Sequence, residues 1–195
     1  PDTYRFARFV EQQLPNLHRS SWIVEMGAGT GACGIIAAKA APGTRVTLVD
    51  INAAALSLAE VNAAHAGVEV DLLKESELPA GADLVLANPP YMMDPEHRSY
   101  RDGGGLLGGA LALDWVEQAL SQMAPGGTML LYTGAAYVDG EAPLLNAIAD
   151  ACSRAGAALS LNEIDPDVFG DELQQPAYRE VERIAAVGAV IRRSD

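Results

Sequence analysis

The stretch Trp22-Ile23-Val24-Glu25-Met26-Gly27-Ala28-Gly29-Thr30-Gly31 decides how this chain folds. Trp22 to Met26 is a short apolar run, Gly27, Gly29 and Gly31 alternate through a turn, and Ile35, Ile36 and a run of alanines continue as a helix. Strand, glycine turn and helix in that order is the repeating unit of an α/β fold. The glycines permit positive φ and let a ligand lie against bare backbone at a helix N-terminus. Spacing alone leaves the ligand open. Glu25 at the strand end argues against a pyrophosphate and suits a cationic head, such as an ammonium or a sulfonium.

Outward from that turn, Arg45 to Asp50 reads as a second strand ending in an acid 19 residues after Gly31. Open α/β sheets place a carboxylate for ribose hydroxyls at this point, so Asp50 is the expected bidentate acceptor. Asn52 then caps a helix to Ala66, with Leu56, Leu58, Ala59, Val61 and Ala63 as its apolar face. Alternation from Val68 to Leu73 predicts a third strand. It exits into Lys74-Glu75-Ser76-Glu77-Leu78, where either Glu77 or Glu75 can reach an adenine amino group. Upstream, Tyr4, Phe6, Phe9, Val10 and Leu14 follow Asp2 and Thr3 at the spacing of a capped amphipathic helix, which Pro15 stops.

Asp83-Leu84-Val85-Leu86-Ala87-Asn88-Pro89-Pro90-Tyr91 carries the chemistry. No sheet ladder continues through two prolines, so the fourth strand ends near Ala87. Each proline also holds the residue before it away from helical geometry, leaving Asn88 on a stiff backbone. The Asn88 side-chain carbonyl and the Pro89 carbonyl are acceptors that such a loop can aim at one –NH2 group. That arrangement suits a weakly nucleophilic planar nitrogen, with Tyr91 as an aromatic wall able to stack on it.

Met92 to Gly105, with Gly103-Gly104-Gly105 and Gly108-Gly109 close behind, reads as a flexible loop that folds over a substrate. A helix from Leu111 to Gln122, a turn at Pro125-Gly126-Gly127 and a fifth strand from Thr128 to Thr133 follow. Leu144 to Arg154 is a further helix. Ala157 to Ile164 and Arg183 to Arg192 are closing strands, joined by an irregular connection over Asp165 to Tyr178 that suggests an antiparallel hairpin at one end of the sheet.

At 195 residues the chain fits one domain, expected over residues 1–195, and Pro1 in place of Met predicts additional N-terminal sequence. The apolar fraction of 49% and charged fraction of 20% are those of a soluble protein, and no apolar run approaches the roughly 18 residues of a membrane span. Cys33 and Cys152 lack metal-ligand spacing, so no metal is expected, and reduced core thiols fit a cytoplasmic location. A formal charge of −13 repels polyanions and disfavours nucleic acid as a partner. His97, Arg98 and Arg101 are the basic residues that could offset it locally; a solvated loop face is the competing expectation.

These stretches together resemble class I S-adenosylmethionine-dependent methyltransferases over nearly the whole chain. Glu25 to Gly31 is similar to their cofactor loop, Asp50 to their ribose acid, and Asn88-Pro89-Pro90-Tyr91 to the signature of the amino-group methylating branch. Within that branch the chain resembles the release-factor glutamine methyltransferases, which share Pro1-Asp2-Thr3 before the first helix. The segments Arg101 to Gly109 and Asp165 to Tyr178 depart from that pattern. The resemblance implies a Rossmann-like, doubly wound seven-stranded sheet, mostly parallel with an antiparallel last strand. It implies S-adenosyl-L-methionine held by Glu25, Gly27, Ala28, Gly29, Gly31, Asp50, Ile51, Ser76, Glu77 and Asn88, with Asn88, Pro89 and Tyr91 catalytic. The implied acceptor is a protein glutamine side chain, with a nucleic-acid amino group or a small-molecule amine or amide as alternatives.

Overall fold

Apolar side chains on both faces of the central strands set the architecture. The structure, a computed structural model, describes residues 2–16 and 21–195. Strands β1 (Trp22–Met26), β2 (Arg45–Val49), β3 (Asp71–Leu73), β4 (Leu84–Ala87), β5 (Thr128–Tyr137), β6 (Ala158–Asp165) and β7 (Arg183–Arg192) form one sheet in the order β3-β2-β1-β4-β5-β7-β6. All pairings from β3 to β5 are parallel, and β7 runs antiparallel between β5 and β6. This is the expected Rossmann-like sheet with its closing hairpin.

Period-two alternation divides the core into two layers. Ile23, Leu84, Leu86, Leu130 and Tyr132 pack against helices α1 (Asp2–Gln13), α2 (Ala32–Ala40) and α3 (Ala53–Ala66). Val24, Val85, Ala87, Met129 and Leu131 pack against α4 (Ala110–Gln122) and α5 (Pro143–Ala155) on the opposite face. The free thiols are split between the layers, Cys33 in α2 and Cys152 in α5, both buried. Among the described residues no helix is long and apolar enough to cross a membrane.

Several sequence expectations shift in the folded chain. Leu58 and Val61 do not belong to the buried face of α3: they are 49% and 62% exposed, while Leu56, Ala59 and Ala63 are buried. Positions 56, 59 and 63 share one helical stripe, and 58 and 61 fall on the far side. Tyr4 is likewise solvent-facing, and Asp2 is the first residue of α1 rather than a cap before it. Pro1, the first residue of the Pro-Asp-Thr run, lies outside the described residues. The third strand begins at Asp71, not Val68, because the Val68 N–H closes α3 by donating to Ala63 O at 3.1 Å. The fifth strand runs past Thr133 to Tyr137, since β7 pairs with it along its whole length.

Candidate active site

Strand register assembles the site. Met26 at the end of β1 pairs with Val49 of β2 on one side and Ala87 of β4 on the other, and Val49 pairs with Leu73 of β3. The residues that follow these strand ends therefore lie in a row: Glu75 and Ser76, then Asp50, then Gly27, then Asn88. The row crosses the point between β1 and β4 where the strand order reverses, the place where open parallel sheets bind ligands. A cavity of about 460 Å³ opens there, lined by Gly27, Gly29, Asp50, Ile51, Glu75, Ser76, Asn88 and Pro89. A wider groove of about 860 Å³ lies at the opposite end of β2 and β3, between Lys39 and Asp71. None of the predicted site residues reaches it, and it sits at the N-terminal ends of the strands, so the smaller cavity is the candidate site.

Local chemistry explains the shape of the glycine loop. Gly29 has φ +53, and a Cβ built on it would meet nothing within 4 Å, so its backbone lies bare to the cavity. Its N–H donates to Asp50 Oδ2 at 2.8 Å, and the Asn52 N–H donates to Asp50 Oδ1 at 2.8 Å, fixing the carboxylate at the cavity wall. Each carboxylate oxygen retains a lone pair for a ligand hydroxyl. Ile51, 56% exposed, offers an apolar surface beside it.

Three predicted cofactor residues shape the loop from behind instead of facing the cavity. Glu25 is 5% exposed, and its Oε2 accepts the Gly34 N–H at 2.8 Å at the start of α2. Burial pushes its carboxyl up to about 8, against the lowering effect of backbone donors from Gly34 and Cys33. Ala28 is buried and donates its N–H to Val49 O, and Gly31 is the N-cap of α2 with φ 75. At the other end of the row, Glu75 and Ser76 line the cavity and Glu77 does not, so of the two acids open for an adenine contact it is Glu75 that stands on the wall.

Asn88 and Pro89 stand on the wall together, and no described residue hydrogen-bonds the Asn88 side chain. Tyr91 is placed otherwise. It is 7% exposed, absent from the cavity lining, and so close to Gly134 of β5 that a Cβ there would overlap its ring. Its hydroxyl donates to Asp2 Oδ2 at 2.7 Å, so the expected stacking wall is a core aromatic tied to α1.

Gly103 and Gly108 of the glycine-rich segment pack against the loop that carries Asn88, while Ser99 and Tyr100 of the stretch expected to cover a substrate line the cavity. Met92 N–H donates to Arg101 O at 3.1 Å and Gly103 N–H returns to Met92 O at 2.9 Å. A Cβ at Gly103 would overlap the Gly108 carbonyl and come within 2.7 Å of Pro90 O. The irregular connection supports the same loop from behind: the buried Tyr178 hydroxyl accepts the Met93 N–H at 2.7 Å, and Phe169 packs tilted against Tyr91.

The three basic residues are spent on neighbouring acids. Asp94 accepts two bonds from the Arg98 guanidinium at 2.7 and 2.6 Å, which holds its carboxyl well below the usual range. His97 lies 2.6 Å from Asp102, and Arg101 lies 2.5 Å from Glu172.

Sequence reasoning missed Trp115 and Leu111 in the lining; Ser99 and Tyr100, also on the wall, belong to the Met92 to Gly105 loop expected over the substrate. Leu111 and Trp115 were detectable as an i, i+4 pair on one stripe of α4. The Trp115 ring lies where a Cβ on Gly27 would come within 2.6 Å of it, so this glycine makes room for the indole.

Fold and site together define a class I methyltransferase arrangement. The chain belongs to the methyltransferase small domain family, whose model matches residues 7–137. It is 40% identical over 113 residues to the release factor glutamine methyltransferase of Mycolicibacterium smegmatis, covering 51% of this chain and 38% of that protein. To the Deinococcus radiodurans release factor glutamine methyltransferase it is 36% identical over 145 residues, covering 67% and 51%. The chain thus spans about half or less of the length of these relatives. A methyltransferase from Pyrococcus furiosus superposes with a TM-score of 0.63 at 18% identity, covering 98% of this chain and 83% of that one. The ribosomal protein L11 methylase of Lactobacillus delbrueckii subsp. bulgaricus gives 0.64 at 18% identity, covering 99% and 79%; both likenesses speak for the fold alone.

Membership implies S-adenosylmethionine as the methyl donor. The residues present fit it: a bare glycine backbone, a fixed carboxylate beside an exposed apolar Ile51, and polar Glu75 and Ser76 at the far end of the row.

Proposed function

We propose that this protein is an S-adenosylmethionine-dependent N-methyltransferase whose acceptor is a glutamine side chain of a protein, a release factor by analogy with its relatives. The observation that carries this reading is the Asn88 side chain, unpartnered within the described residues and set on the wall of the cavity that Gly27, Gly29 and Asp50 also line. Gly27, Gly29, Asp50, Ile51 and Ser76 hold the donor, with Glu75 rather than Glu77 at its adenine end. When bound, that donor supplies an electrophilic methyl group on a sulfonium sulfur.

Asn88 and Pro89 supply the acceptor side. Their carbonyl oxygens accept the two amide N–H groups and so orient the nitrogen, whose lone pair is otherwise delocalised into its own carbonyl. Orientation of this kind is worth a large share of the barrier, and no strong base is needed, because the nitrogen proton becomes acidic on alkylation and leaves to water. Glu25, Ala28 and Gly31 act from behind by holding the loop. The net charge of −13 and the pairing of Arg98, Arg101 and His97 with acids favour a basic protein partner over a nucleic acid.

Incubation with labelled S-adenosylmethionine and a release factor, followed by mass spectrometry of the product peptides, tests this directly. Methylation at a glutamine is expected. Asn88→Ala should lower kcat about 10²-fold, the scale of losing one oriented hydrogen-bonding group at a reacting centre, while keeping cofactor affinity. Asp50→Ala should weaken cofactor binding about 10-fold or more. Normal turnover by Asn88→Ala would overturn the assignment.

A further inference from the structure

The start of α1 is tied to the loop after β4 by one carboxylate. Asp2 Oδ2 accepts the Tyr91 hydroxyl at 2.7 Å and Oδ1 accepts the Tyr132 hydroxyl at 3.1 Å. Arg5, one helical turn on, lies 3.6 Å from that carboxylate and 2.6 Å from Asp165 of β6. Bonds to a carboxylate are stronger and more directional than those between neutral groups. Burial and the nearby Asp2 push the Tyr91 phenol upward, so it stays a neutral donor.

Tyr91 follows Asn88 with only Pro89 and Pro90 between them. Two fixed φ angles make this link stiff, so the place where Tyr91 is anchored sets where Asn88 stands. From the opposite side the loop is held at Met92 and Met93 through Arg101 and Tyr178. On the α1 side, Asp2 is the hydrogen-bond partner of the Tyr91 hydroxyl among the described residues.

We propose that Asp2 is a positioning residue: by anchoring the Tyr91 hydroxyl it keeps Asn88 and Pro89 in register with Gly27 across the cavity. This rests on the reading that the Asn88 loop carries the transfer, and it gives a physical role to the Asp of the Pro-Asp-Thr run. It also gives the Tyr91 hydroxyl a role although the ring lies in the core.

The test compares Asp2→Ala, Asp2→Asn, Tyr91→Phe, Tyr132→Phe and the double variant Asp2→Ala/Tyr91→Phe. Methyl transfer to a release factor and hydrogen exchange of the Met92 and Met93 amides in the free protein are the two readouts. Asp2→Ala and Tyr91→Phe should each lower kcat about 10- to 100-fold, with cofactor affinity unchanged, as expected for misplaced reacting groups. The double variant should be no worse than either alone. Asp2→Asn, whose amide oxygen still accepts, should retain most of the turnover, and Tyr132→Phe should lower the melting temperature while leaving kcat intact. Exchange at Met92 and Met93 should quicken at least about 10-fold in Asp2→Ala and Tyr91→Phe. Unchanged exchange in Tyr91→Phe, or a kcat loss in Tyr132→Phe equal to that in Tyr91→Phe, would overturn the proposal. A wild type that transfers no methyl to the release factor would remove the glutamine reading, while the exchange measurement would still decide whether the anchor exists.

Discussion

Two segments of this chain are rich in glycine, and they use it in opposite ways. In Gly27 to Gly31, Gly29 leaves its backbone open to the cavity, at φ +53 with nothing within 4 Å of where a side chain would begin, while Gly27 makes room for the Trp115 indole. In Gly103 to Gly109, glycine lets backbone press on backbone, with Gly103 and Gly108 seated against the carbonyls of Pro90 and Tyr91. The first segment lines the cavity through Gly27 and Gly29, and the second braces the loop that carries Asn88. Glycine content alone therefore predicts neither flexibility nor binding; what surrounds the missing Cβ decides.

Substitution should separate these roles most clearly at Gly103. Gly103→Ala places a methyl onto the Gly108 carbonyl and should cost roughly 3 kcal/mol or more, read as a large drop in denaturation midpoint. A midpoint close to wild type would show that the brace is loose and erase the contrast.

Glu25 offers the next largest effect, because it secures the first segment from beneath. Its carboxyl rises from an ordinary value near 4.5 to about 8 in the folded chain, so the native state holds the proton that the unfolded state has lost. Stability contributed at this site is then greatest below pH 4.5 and falls as pH rises to about 8, levelling beyond it. Glu25→Gln keeps an acceptor for the Gly34 N–H and should flatten that slope, gaining on the wild type by a few kcal/mol at most between pH 5 and 9 in denaturant titrations. Parallel slopes in the two proteins would contradict the raised carboxyl.

Gly29→Ala should have the smallest effect on stability, about 1–2 kcal/mol for a left-handed alanine. Its added methyl stands in open space at the cavity wall, so the loss should appear chiefly as cofactor affinity weakened about 10-fold in a binding titration. Unaltered affinity would mean that this backbone is not where the donor lies.

The central strands, the glycine turn and the placement of Asp50 and Asn88 just past strand ends were legible in the sequence because adjacent residues dictate them. Apolar runs fix β1, β2 and β4, and prolines fix where β4 stops. Residues whose roles depend on distant partners were not legible. Tyr91 turns inward because Gly134 leaves room for its ring and Asp2 takes its hydroxyl, contacts from β5 and α1 that local spacing does not encode. The exit from β3 sets which of three successive polar residues reaches the cavity, and it brings Glu75 and Ser76 there but not Glu77. Leu58 and Val61 satisfy hydrophobicity but not the stripe geometry of α3.

The partition of the two thiols across the sheet gives each helical layer its own clock. Cys33 and Cys152 are buried under α2 and α5 respectively, and burial raises both thiols, so neither reacts until its layer opens. Alkylation kinetics at the two cysteines, followed by peptide mass, thus time the detachment of each layer without any introduced label. Equal rates would mean that the sheet and both its coats come apart as one cooperative body; unequal rates would name the coat that peels first.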